Sequence, residues 1–216
     1  DDQVAVNQAF LEHCVLVFRD QPMGPKQTLD LSNAFGPVEP HITVKYRHPD
    51  YPDLIVMTNM DKNGEISDHE TARGVGWHTD MCYMPLPAKA TLLHTIEIPD
   101  VGGDTLFANQ HLAYDRLPDD LKARLEGLVA KHSDRFIYGK GSMHDPASDE
   151  TAGQTMAIRG DRDPYDGQHP LVRIHEGNGR PALFSTLGYV QGVVDMEDDE
   201  ARSLLREIHE HQIDDA

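Results

Sequence analysis

The sequence predicts a mixed α+β fold, mainly β: a mixed β-barrel or double-sheet jelly roll with helices flanking it. Three observations lead there. Short apolar runs of strand length crowd the middle of the chain, helical periodicity is confined to the start, the end and one insertion, and no regular βαβ alternation joins them. At 216 residues the chain is the size of a single domain and long enough to bury a substantial core.

VAVNQAFLEH (residues 4–13) has apolar residues at helical spacing and runs into VLVFRD (15–20), an apolar strand. GPKQTLDLSNAFG (24–36) reads as a helix, with Pro25 suited to its first turn and Gly36 to its end. LIVMT (54–58) is a buried strand, and residues 61–76 form a polar surface loop rich in turn formers. A strand bearing WHTD (77–80) follows, then the strands ATLLHTIEI (90–98) and TLFAN (105–109) about the turn PDVGGD. LPDDLKARLEGLVAKH (117–132) is periodic as a helix, its first turn carrying Asp119 and Asp120 where the dipole favours them. Residues 139–168 look irregular. HPLVRIH (169–175) and PALFST (181–186) flank EGNGR as a hairpin, and MEDDEARSLLREIHEHQ (196–212) is an amphipathic helix.

Composition narrows the function. The formal net charge of −18 argues against nucleic acid and against anionic membrane surfaces, both of which need a basic patch. An anionic small molecule stays open, because one arginine or metal ion can reverse the local field. There is no apolar run of spanning length, and the opening DDQVAVNQAF lacks a basic start and an apolar core. Cys14 and Cys82 are far apart and form no CxxC pair, so a reducing cytoplasm is the expected setting. Of the thirteen histidines, His111, His144, His209 and His211 lie in polar surroundings and read as exposed.

The chemistry is expected at GWHTDMCYMPLPA (76–88). His78 and Asp80, two positions apart on an extended segment, point to the same side and make half of a metal site. Taken alone, such a pair is more often a bland surface pair. The glycine-rich approach GVGW and the stiff MPLPA that follows raise its weight. A histidine and a carboxylate at a strand end begin the two-histidine, one-carboxylate facial triad of non-haem Fe(II), which leaves positions open for a bidentate oxoacid and dioxygen. GGDTLF (102–107) is by itself an ordinary Gly-Gly turn.

Together these residues resemble the TauD/TfdA family, the taurine catabolism dioxygenase-like Fe(II)- and 2-oxoglutarate-dependent oxygenases. The match rests on LVFRDQ (16–21), FGPVEPH (35–41), WHTD (77–80), MPLPA (84–88), GGDTLF (102–107), HPLVRIH (169–175) and GNGRPALF (177–184), in that order. The resemblance implies a double-stranded β-helix (jelly-roll) core with flanking helices. It implies His78 and Asp80 as iron ligands, Thr105 as a hydroxyl donor to a carboxylate of 2-oxoglutarate, and His41 as a substrate contact. His169 and His175 are read as structural or exposed, not as ligands.

The same resemblance implies a third ligand, a histidine, and an arginine for the far carboxylate of 2-oxoglutarate, both on later strands; the sequence shows neither. The chain is therefore expected to be a single dioxygenase domain, 1–216, without its C-terminal strands and a short N-terminal part. The implied reaction hydroxylates a small, anionic substrate of the sulfonate, sulfate ester or aryloxyalkanoate type, with release of succinate and carbon dioxide. Gly74 and Val44 stand where a taurine enzyme would carry polar and aromatic side chains, which favours a larger or less polar substrate. The expected partners are that substrate and dioxygen, with a homo-oligomer left open, and the loop at 61–76 is a candidate lid. Two rivals remain: a catalytically degenerate jelly-roll binding protein, and a zinc hydrolase, which would need more clustered histidines.

Overall fold

The computed structural model describes residues 2–40, 47–60, 63–66, 76–135 and 165–213. The sequence reading of His41, Val44, Gly74 and His144, and of most of the 61–76 loop, lies outside those residues.

Helices α1 (Asp2–His13) and α2 (Pro25–Asn33) open the chain. α2 begins where Gly24 N–H donates to Gln27 Oε1 at 2.6 Å, with Pro25 at the first helical position, where a missing N–H costs nothing. The two helices meet through an edge-to-face contact of Phe10 and Phe35, ring centres 5.8 Å apart. Further on come α3 (Gln110–Arg116) and α4 (Asp119–Leu125), strands β1 (Val129–Ser133), β2 (Asp166–Pro170), β3 (Val172–Ile174), β4 (Pro181–Leu183) and β5 (Val190–Val193), and the final helix α5 (Asp198–Ile213).

The strands form two antiparallel sheets. One has the order β2-β1-β5, with Ala130 opposite both His169 and Val193. A register shift between Lys131 and His132 then brings Val190 opposite His132. The other is the β3-β4 hairpin, pairing Val172 with Leu183. Its turn closes with Gly179 N–H on His175 O at 2.8 Å and Gly179 at φ 71°, as EGNGR predicts.

The main core lies between α3, α4, α5 and the sheets. α5 buries Ala201, Leu204, Leu205, Ile208 and Gln212, the spacing of one helical face. These meet Leu117, Leu121 and Leu125 from the α3–α4 region, and Ala130, Leu171, Leu183 and Val193 from the sheets. On the outside, Arg124 clasps both carboxylate oxygens of Glu207 at 3.0 and 3.1 Å, an exposed pair of small energetic weight. No helix among the described residues is long and apolar enough to cross a membrane.

Several elements differ from expectation. The helix predicted over 117–132 ends at Leu125, because Gly127 (φ 73°) turns the chain by a left-handed step and VAKHS then alternates into β1. Most of the 139–168 stretch lies outside the described residues, its last three residues belong to β2, and HPLVRIH is split at buried Leu171 between two sheets. The apolar runs at 15–20, 54–58, 90–98 and 105–109, and the WHTD segment, form no strand of a sheet; Ile55 makes a single isolated bridge to Arg47. A strand needs a neighbour for its N–H and C=O groups, and these segments find none among the described residues. Many of their apolar side chains are exposed, Ile96 to 91% and Val17 to 73%.

Candidate active site

His78 and Asp80 come together as their spacing predicts, with Nε2 of His78 3.3 Å from Oδ1 of Asp80. His78 Nδ1–H donates to the carbonyl of Gly76 at 2.7 Å. That bond fixes the tautomer and leaves Nε2 as the nitrogen facing the carboxylate. The other carboxylate oxygen, Oδ2, accepts the hydroxyl proton of Thr91 at 2.7 Å. Both side chains are half-exposed. When the ring is protonated, Nε2–H donates to Asp80, and this holds the His78 pKa above the usual imidazole value, while burial works against the rise.

Two donors bound at right angles to one ion, each at about 2.1 Å, lie about 3 Å apart. The observed 3.3 Å lets both atoms serve as neighbouring donors to one ion. Among the described residues no third His, Cys, Asp or Glu joins them in a group that could hold a metal ion.

Beside His78 opens a cavity of about 140 Å³ whose lining includes the apolar Trp77, Leu106 and Phe107 and the polar Gln110, His209 and Gln212. The polar part is braced: buried Gln212 donates through Nε2 to Ser185 O at 2.7 Å and to Gln110 Oε1 at 2.9 Å, tying α5 to α3 and to the segment after β4. His209, one turn before Gln212, is thereby held at the cavity and is only partly exposed, contrary to its reading as an exposed histidine. His111 is likewise buried, with Nδ1 on Pro181 O at 2.7 Å, and His211 is half-buried. Their neighbours in sequence are polar, but burial here is set by partners distant in sequence.

Thr105 lies exposed on the extended segment before α3, and Leu106, Phe107 and Ala108 immediately after it line the cavity. Sequence reasoning missed Thr91; a hydroxyl on an extended run carries no signal of its target eleven residues back.

The profile of the taurine catabolism dioxygenase TauD, TfdA family matches residues 1–216. The chain belongs to that family. As a TauD/TfdA protein it is an oxidoreductase of the dioxygenase class. It is similar to the alpha-ketoglutarate-dependent 2,4-dichlorophenoxyacetate dioxygenase of Cupriavidus pinatubonensis, 33% identical over 214 residues, 93% of this chain and 69% of the relative. It is also similar to the (S)-phenoxypropionate/alpha-ketoglutarate-dioxygenase of Sphingobium herbicidovorans, 32% identical over 213 residues, 93% of this chain and 67% of the relative. Among solved structures it resembles AAD-2 in complex with Mn(II) and N-oxalylglycine, with TM-score 0.69 and 27% identity, covering 98% of this chain and 72% of that one. The chain thus spans about two thirds of the length of these TauD/TfdA relatives.

Proposed function

We propose that this chain carries the iron site of an Fe(II)- and 2-oxoglutarate-dependent dioxygenase that hydroxylates a small, anionic organic substrate of the aryloxyalkanoate, sulfate ester or sulfonate type. The observation that carries this reading is the 3.3 Å approach of His78 Nε2 to Asp80 Oδ1, in a chain that matches the family along its whole length. Fe(II) bound with 2-oxoglutarate supplies dioxygen activation: the keto acid leaves as succinate and carbon dioxide, and one oxygen atom enters a substrate C–H bond.

The chain's own residues have separable tasks. His78 offers a neutral nitrogen whose direction the Gly76 carbonyl sets, and Asp80 offers a negative oxygen while Thr91 holds the other. The third donor, a histidine, comes from outside the described residues, as does the arginine for the far carboxylate. Thr105 donates its hydroxyl to a carboxylate of the cosubstrate. His41 contacts the anionic group of the substrate. Trp77, Leu106 and Phe107 give the cavity lining an apolar part that suits an aryl or alkyl body. The printed names of the relatives, acting on phenoxyacetate and phenoxypropionate types, favour such a substrate. A single domain over 1–216 with a jelly-roll core, in a cytoplasmic setting, belongs to the same reading.

The test is succinate formation by the full protein with Fe(II), 2-oxoglutarate and oxygen, offered phenoxyacetates, alkyl sulfates and taurine in turn. Iron-dependent succinate that rises with a phenoxyacetate or alkyl sulfate is expected. No iron-dependent succinate with any substrate removes the dioxygenase reading, and a clear preference for taurine removes the preference for a larger, less polar substrate.

A further inference from the structure

The turn that follows Asp80 is gripped from behind. Met81, Cys82 and Tyr83 are buried in a small core of their own with Tyr189, and Met84, Tyr165 and Phe184 pack against it. The Tyr83 ring stacks on Tyr165 at 6.1 Å and tilts against Tyr189 at 5.2 Å. Met84 N–H donates to Met81 O at 3.0 Å, closing a turn in which Met81 takes φ 51°. A non-glycine residue in that left-handed region is held there by its surroundings.

The surroundings are β2. Nε2 of buried His169 lies 2.9 Å from the carbonyl of Met84. A carbonyl only accepts, so Nε2 carries the proton. Two residues earlier, β2 approaches the turn so closely that a Cβ on Gly167 would stand 2.8 Å from Tyr83 O and 3.1 Å from Met84 O. The His169 ring is itself clamped edge-on between His132 at 5.2 Å and Phe184 at 5.3 Å. In so aromatic a setting phenylalanine would fill the space without the cost of burying polar nitrogens. What the imidazole adds is one N–H directed at the turn.

We propose that His169 is a positioning residue for the metal site: its Nε2–H bond to the Met84 carbonyl fixes the turn at 81–84, and through it the direction in which Asp80 presents its carboxylate. His169 touches neither metal donor. It acts along the four residues 81–84, which are packed into their own small core and closed by the Met84 N–H bond to Met81 O. This rests on the reading of His78 and Asp80 as donors, and the experiment separates the two.

Mn(II) affinity is measured on the full protein, and alkylation at Cys82, located by peptide mass spectrometry, reports release of the turn. His78→Ala is expected to abolish binding; wild-type affinity there overturns the site reading and this proposal with it. With that control in place, His169→Phe is expected to weaken Mn(II) about tenfold and to speed Cys82 alkylation. In turnover it should lower kcat with little change in the substrate KM. His169→Gln, whose amide nitrogen reaches the same carbonyl, is expected to restore most of the affinity. Wild-type Mn(II) affinity in His169→Phe overturns the proposal, as does an equal loss in the Gln and Phe variants. Should His169→Phe not fold, the imidazole ¹⁵N shifts of the unsubstituted protein decide: a proton on Nε2 at neutral pH supports the role, and a neutral Nδ1–H tautomer, whose bare Nε2 cannot donate to the carbonyl, overturns it.

Discussion

The hydroxyl of Thr91 donates to Oδ2 of Asp80 at 2.7 Å and leaves Oδ1 facing His78. A carboxylate on a half-exposed turn could swing about its own bonds, and this contact removes that freedom. Thr91→Val keeps the shape and loses the donor. It is expected to weaken Mn(II) binding roughly tenfold, with Thr91→Ser close to the parent. Equal affinities by titration in all three proteins would show that the hydroxyl does not hold the carboxylate.

Asp80→Asn tests charge separately from geometry. The amide keeps the volume and one carbonyl oxygen but removes the negative charge that a divalent ion needs. Iron-dependent succinate formation should fall by at least about a hundredfold, with the circular dichroism unchanged.

Acid sensitivity should trace to His132. This ring is 1% exposed, neither nitrogen makes a well-formed hydrogen bond among the described residues, and His169 and Arg173 face it. Burial first, and then those two neighbours, push its pKa down to about 4. Its folded value thus lies below the unfolded one, near 6.5. Its neutral form supports the fold fully above pH 6.5, and that support is lost as pH falls toward 4, at up to about 1.4 kcal/mol per pH unit. His132→Phe should flatten the denaturant midpoint between pH 6.5 and 4. A slope as steep as the parent's would place the acid sensitivity elsewhere.

Gly167→Ala should destabilise by about 1–3 kcal/mol. The new methyl would meet two backbone carbonyls and the His169 ring, all within 3.1 Å. Backbone cannot step aside as the end of a side chain can. In contrast, alanine at Gly192, which has nothing within 4 Å, is expected to be nearly silent in the same urea titration.

What the sequence made legible was local. His78 and Asp80 could be paired from their spacing because extended backbone repeats every second residue, and α5 could be placed because Leu204, Leu205 and Ile208 recur on one face. Thr91, His132 and His169 were not legible as a set. Each is an ordinary residue until β1 and β2 pair and the turn at 81–84 is laid against them. The strands expected at 90–98 and 105–109 show the limit from the other side. Alternation and β-branching record that a segment is made to pair, but pairing itself requires a partner.

The apolar ribbon from Leu93 to Phe107 has one more consequence, in time. None of its residues belongs to the core formed by residues 113–208, so that body can reach its packing before the ribbon is placed. Synthesis runs in the opposite order, and the ribbon leaves the ribosome first. Translating the hundred or so residues that follow takes about 5–20 s, during which Leu93, Ile96, Ile98 and Val101 have nothing to cover them. They are still exposed once the body has packed. The chain therefore carries a sticky ribbon from the moment it emerges, and its soluble yield should respond to ribosome-associated chaperones and slower induction more than to any stabilisation of the core.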